Sequence, residues 1–281
     1  MEKAGIISQL QQDILVLQGF RPASNSYGDL GLGLLKEAMP NGSFPFGAVH
    51  EFLNEGMETA AASSGFIAGL LSPLMANDGI SVWISASRTL FPPALKMFGI
   101  QPDRFIFIDI QKDKDVPWAM EEALKCAALT AVIGEMKEIS FTMSRRLQLA
   151  VEQSHVTGFV IRNSPKVQNP TACVSRWRIT PIQSKTMDDL PGIGFPVWKV
   201  ELIRMRNGKT GIWEINWIEG KFLILPWRDA SIGKSHPSRD VLPDKKFSVG
   251  LSSPESSSFK KISLIEGWTK RDVLSSKERT G

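Results

Sequence analysis

The sequence predicts an α/β protein with a mainly parallel sheet, helices on both of its faces and an antiparallel C-terminal edge. Three observations carry this. Between residues 47 and 162, short runs that are apolar on both faces alternate with helical patterns, as buried parallel strands joined by crossover helices require. After Asn163 the helical patterns stop and strand patterns succeed one another, with Asn207-Gly208 between two of them as a hairpin signal. Third, residues 47–71 read as a buried strand (48–52), a short loop (53–58) and an Ala-rich helix opening near Thr59. A helix N-terminus placed after a strand in this way is a frame suited to anions.

In chain order, residues 1–19 carry apolar side chains at Ile6, Ile7, Leu10, Ile14, Leu15 and Leu17, close to helical spacing, and Gly19 is a stop signal. Residues 20–46 are rich in Gly, Ser, Asn and Pro, with one short helix expected at 29–38. Gly31-Leu32-Gly33 precedes a helix instead of following a strand, so it is no dinucleotide fingerprint. The alternation then runs strand 80–85, short helix 92–98, strand 105–110, helix 118–129, strand 131–136, helix 142–155 and strand 158–162. Strands at 176–181, 198–206 and 212–217 follow, with Trp177, Trp198, Trp213 and Trp217 mostly in the core. This gives an N-terminal helical segment and linker (1–46), one α/β domain (47–227) and a disordered tail (228–281).

The net charge of +4 is unevenly placed. Residues 1–227 hold 22 basic and 22 acidic side chains, whereas residues 228–281 hold 11 and 7. The pI near 9.0 therefore describes the tail and says little about nucleic-acid binding by the domain. No apolar run reaches the roughly 18 residues of a membrane span, and no basic-then-apolar leader opens the chain. The two cysteines, Cys126 and Cys173, form neither a metal spacing nor a bridge framework, as expected of reduced thiols in a cytoplasmic protein.

The stretches GAVHEF, VWISASRTLFPPALKMFGI, WAMEEALK, SRRLQLAVEQS, SRWRI and VELIRMRNG are similar to ImuA, a family of bacterial DNA-damage mutagenesis proteins with a RecA-like fold. The resemblance covers about residues 43–220. By comparison with RecA, it implies a degenerate phosphate loop at Asn54, Glu55, Gly56, Thr59, Ala60 and Ala61, with Ala60 at the lysine position and Ala61 at the Mg²⁺-binding hydroxyl. Ser87 takes the place of the water-activating glutamate. Glu135 matches the acid ending the metal-coordinating strand, and Asn163 the γ-phosphate sensor. The resemblance thus implies no ATP hydrolysis, no cofactor and no metal. It further implies a non-catalytic adaptor in damage-induced translesion synthesis, nucleoid-associated when engaged. Its partners would be an ImuB-type Y-family protein and an error-prone DnaE-type polymerase, with RecA and DNA as further candidates. Two other functions stand beside it: a DNA-binding regulator of recombination, which Ala60 and Ala61 oppose as an ATPase, and a SulA-like inhibitor of division acting on FtsZ. SulA-like chains are shorter and usually end soon after the sheet.

Two surface features remain open in the sequence. RecA's first DNA loop leaves only 137–140 here, and its second would match 164–172, with Lys166 its only charge. Arg176 and Arg178 share one strand face, as do Arg204 and Arg206. With Lys209 they form either a basic stripe for phosphates or a surface ladder with Glu201, Glu214 and Glu219. In the tail, Ile262, Leu264, Ile265 and Trp268 form a concentrated apolar group between Lys260-Lys261 and Lys270-Arg271. A helical turn would put Ile262, Ile265 and Trp268 on one face, as a motif docking into a partner's groove or packing back on the domain.

Overall fold

The computed structural model describes residues 32–76, 78–166, 169–184 and 194–225. The expected N-terminal helix and the apolar group of the tail lie outside them. The described residues form one nine-stranded sheet with strands β1 (Val49–Asn54), β2 (Ser81–Ser85), β3 (Phe105–Asp109), β4 (Ala131–Met136), β5 (Thr157–Asn163), β6 (Ser175–Ile182), β7 (Val197–Met205), β8 (Gly211–Ile218) and β9 (Lys221–Leu225). Their order is β3-β2-β4-β5-β1-β6-β7-β8-β9. Every pairing from β3 to β6 is parallel, and β6 to β9 are joined by antiparallel pairings.

Among the described residues three α-helices cover the sheet: α1 (Met57–Met75), α2 (Val116–Leu124) and α3 (Phe141–Ser154). Because side chains alternate along each strand, the two faces build separate cores. On one face Phe66, Ile67, Leu70 and Leu71 of α1 meet Phe52, Phe159, Trp177, Trp198, Trp217 and Phe222. Gly69 permits the close approach: a Cβ there would overlap the Phe222 ring. On the other face Met120 and Leu124 of α2, with Leu147 and Val151 of α3, bury Val49, Val82, Val132 and Val160. Trp177, Trp198 and Trp217 are buried, and Trp213 packs half-buried against them.

Several boundaries differ from the sequence expectation. The first strand continues through Asn54 and α1 begins at Met57, so the loop between them is only Glu55-Gly56. A polar Asn can end a buried strand because its amide is fully engaged, as shown below. Helix α2 starts at Val116, with Pro117 in its first turn where a missing N–H costs nothing, and it stops at Leu124. Pro92–Phe98 is a 3₁₀ helix ended by left-handed Gly99, and the segment expected at 29–38 is a 3₁₀ helix over Gly33–Ala38. Strand β9 was not foreseen. Its hairpin turns on Glu219 and Gly220, both at positive φ (49° and 76°), the conformation that a two-residue hairpin needs. The sequence shows this only as one Glu-Gly pair.

His50 of β1 is fully buried. Its Nε2–H donates to the Pro45 carbonyl (3.0 Å), and its Nδ1 accepts from the Ser175 hydroxyl (2.6 Å), which itself accepts from the Trp177 indole N–H. Burial lowers the imidazole to about 3. The unfolded chain therefore takes up a proton near pH 6.5 that the native state refuses, so stability present above that pH falls as pH drops toward 3. The expected slope from this residue is about 1.4 kcal/mol per pH unit below 6. Denaturant titrations of wild type and His50→Gln at pH 7 and pH 5 check this: the loss on acidification should be smaller in the variant, and equal losses would contradict it.

Candidate functional site

The resemblance directs attention to the strand–turn–helix at Glu55-Gly56. The N–H groups of Glu55 and Gly56 both donate to Oγ1 of Thr59 (3.0 and 3.1 Å), and the same hydroxyl donates to the Gly56 carbonyl (2.9 Å). Thr59 thus fills the two loop amides from inside. Asn54 faces inward, its Nδ2 donating to Asn163 Oδ1 (3.0 Å) and its Oδ1 accepting from Ser63 (2.7 Å). Ala60 is half-buried and Ala61 exposed, and neither offers a cation or a hydroxyl.

Glu135, buried on β4, accepts from the Trp83 indole N–H (2.6 Å) and the Thr89 hydroxyl (2.6 Å). Both oxygens thus have protein donors. Ser87 is exposed in the loop after β2, beside Arg88, which pairs with Asp109. The structure therefore joins Asn54 to Asn163, places Glu135 on the adjacent strand opposite Ile161, and leaves Ser87 exposed in the loop whose Thr89 bonds Glu135. Among the described residues no group of three or more His, Cys, Asp or Glu side chains is arranged to hold a metal ion.

The densest polar assembly lies on the opposite face of β1. Glu51 is fully buried, and so is Arg162 on the neighbouring β5. Arg162 Nη1 reaches Glu51 Oε1 at 3.0 Å, Arg176 Nε reaches Oε2 at 2.8 Å, and the Thr171 hydroxyl donates to Oε2 at 2.7 Å. Arg162 also holds Glu138 (2.7 Å), whose other oxygen accepts the Lys166 N–H (2.8 Å). Asn169 donates to the Ile139 carbonyl (2.7 Å), and Ala172 N–H to the Ser144 hydroxyl of α3 (2.9 Å). The two segments that the resemblance matches to RecA's DNA loops are thereby bonded to one another and to the sheet.

All four arginines of the sequence stripe lie beside this assembly. Arg176 is the second cation on Glu51, and its Nη2 donates to the Asn169 carbonyl (2.7 Å). Arg204 Nη2 donates to the Thr171 and Cys173 carbonyls (2.9 and 2.5 Å), and Arg206 Nη2 to that of Ala172 (2.9 Å). Arg178 sits between Glu55 (3.6 Å) and Glu201 (3.8 Å). Glu214 faces Lys199 across the β7–β8 ladder, and Glu219 sits in the β8–β9 turn. Lys166 is exposed. Burial, followed by repulsion from Arg176, lowers the Arg204 guanidinium below its ordinary value. Burial and the Glu51 charge push the Cys173 thiol up to about 12, which makes it inert.

The sequence reading missed Glu51, Arg162, Thr171 and Glu138 as a unit. The available signal was a Glu inside the apolar run AVHEFLN and an Arg closing GFVIR. A charge at a buried strand position requires a partner of opposite sign.

No protein-family model matches the chain. The chain is 33% identical over 214 residues to Protein ImuA of Caulobacter vibrioides strain NA1000 / CB15N, an alignment covering 72% of this chain and 83% of the relative. Protein ImuA of Caulobacter vibrioides strain ATCC 19089 / CIP 103742 / CB 15 matches with the same figures. Fold and site together define a mainly parallel α/β protein, extended by an antiparallel sheet, whose strand–turn–helix amides are occupied by its own threonine. The chain belongs to the ImuA family.

Removing one member of a buried ion pair strands the other charge, commonly at a cost of about 3–5 kcal/mol. Glu51→Ala should therefore lower unfolding free energy by about that amount, and Glu51→Ala/Arg162→Met should recover part of it. Denaturant unfolding of the single and double variants measures the coupling. Additive losses would contradict the pairing.

Proposed function

We propose that this chain is a non-catalytic adaptor in damage-induced, error-prone translesion DNA synthesis, working with an ImuB-type Y-family protein and a DnaE-type polymerase. Family membership supports the pathway. The observation that carries the non-catalytic half is the closure of the Glu55 and Gly56 amides by Thr59, beside a helix start that lacks both Lys and a second hydroxyl. Phosphoryl transfer depends almost wholly on positioning and charge stabilisation. Removing one electrostatic contact to the transition state costs about 10²–10³ in rate. Here three such groups are replaced, by Ala60, Ala61 and Ser87, and Glu55 and Glu58 add repulsion for an anion.

What remains for the fold to supply is surface, and a rigid nine-stranded sheet presents it without a nucleotide. No helix among the described residues is long and apolar enough to cross a membrane.

Calorimetry of the full chain with Mg²⁺·ATP should give no isotherm at micromolar protein, and phosphate release should equal the protein-free blank. Low-micromolar binding or turnover would contradict the non-catalytic reading. Affinity capture from DNA-damaged cells should recover the ImuB-type and DnaE-type proteins; recovery of FtsZ in their place would favour division control.

A further inference from the structure

Strand period alone would point Arg204 to the same face as Val200 and Leu202, into the core. A β-bulge prevents this. The β6–β7 register shifts between Arg176 and Trp177, so Arg176 faces Arg204 while Trp177 faces Leu202, and Ile203 is the extra residue. Past the bulge, Met205 points into the core, and Arg204 and Arg206 emerge on the opposite face beside Arg176. Bulges commonly re-aim side chains where a site is built.

Among the described residues, Arg204 and Arg206 contact backbone carbonyls and pair with no carboxylate. Each guanidinium carries five N–H donors, so most remain unused. The one nearby buried carboxylate, Glu51, already serves Arg162 and Arg176. Along the same face of β7, β8 and β9, Ile203, Ile212 and Leu223 are 37%, 45% and 47% exposed. The described helices pack elsewhere, against the cores already described. This corner combines unpaired cations with exposed aliphatic side chains, the mixture that arginine-rich protein interfaces use.

We propose that the β7–β9 outer face at Ile203, Arg204, Arg206 and Ile212 is the docking surface for an acidic segment of a protein partner bearing aliphatic anchors. The inference rests on the adaptor reading and names its surface. Charge decides the occupant. Residues 228–281 are net basic, with 11 Lys+Arg against 7 Asp+Glu, and residues 1–227 balance 22 against 22, so neither the tail nor a second copy brings the net negative charge that an acidic partner does. The exposed hydrophobics on this face of β7–β9 are Ile203, Ile212 and Leu223, aliphatic side chains suited to protein anchors and not to the stacking of bases.

The test uses the full chain and, as probe, the ImuB-type protein encoded by the same genome, with an oligothymidylate strand as second probe. Arg206→Glu and Ile212→Asp change exposed side chains and leave Glu51 and its partners in place. Each should weaken partner binding about tenfold or more, Ile212→Asp with unchanged melting temperature, and Arg206→Glu should flatten the salt dependence. Wild-type affinity in both variants would overturn this surface and leave the adaptor reading standing. No binding by the wild type would remove the adaptor reading and this surface with it. Oligothymidylate binding lost in Arg206→Glu, with partner binding intact, would overturn the proposal in favour of nucleic acid.

Discussion

A carboxylate with no solvent exposure, held by two guanidiniums and a hydroxyl, is the constraint on which the rest of this structure depends. Glu51 lies on β1, Arg162 on β5 and Arg176 on β6, so three adjacent strands in the middle of the sheet share one charge. Burying these ions is expensive, and pairing offsets the cost only when the remaining donors and acceptors are also satisfied. Here they are satisfied by the chain between β5 and β6. Thr171, Asn169 and Glu138 close the assembly, and Arg204 and Arg206 hold the carbonyls of residues 171–173 from the neighbouring strand.

This bears on what the fold can do. Where a protein binds a nucleotide at a helix N-terminus, the phosphates supply charge that can order neighbouring loops. Here the turn is two residues long, its amides bond to Thr59, and its strand ends in an Asn that bonds sideways to Asn163. Residues 169–173 are held instead by Glu51 and the arginines around it. The middle of the sheet is tied together by its own side chains, and a β-bulge turns two further arginines outward.

Much of the fold was legible in the sequence. Residues 131–136 were placed without error because six buried residues between two turns leave one solution, and the Asn207-Gly208 turn announced its hairpin. The turn before α1 was read too long, since Leu53, Asn54 and Met57 look like loop residues until Asn163 and Ser63 are known to hold Asn54. Strand β9 hid behind a Glu-Gly turn. At the site, residue identity alone showed that the helix opening after Gly56 carries no Lys and, before Ser63, no hydroxyl besides Thr59. The Glu51 assembly was not, because its members are about 110 and 125 positions apart and only the strand order brings them together. The shared face of the four arginines was readable as a pattern, yet it holds only because of a bulge that no sequence signal marked.

The central claim is that residues 169–174 are ordered by Glu51 and not by a nucleotide. Amide hydrogen exchange of this segment in the full chain, with and without saturating Mg²⁺·ATP, tests it most directly. The account predicts the same slow exchange in both conditions for wild type, and fast exchange in Glu51→Gln that ATP does not restore. Protection that rises on adding ATP, or slow exchange that survives the loss of the Glu51 charge, would contradict it.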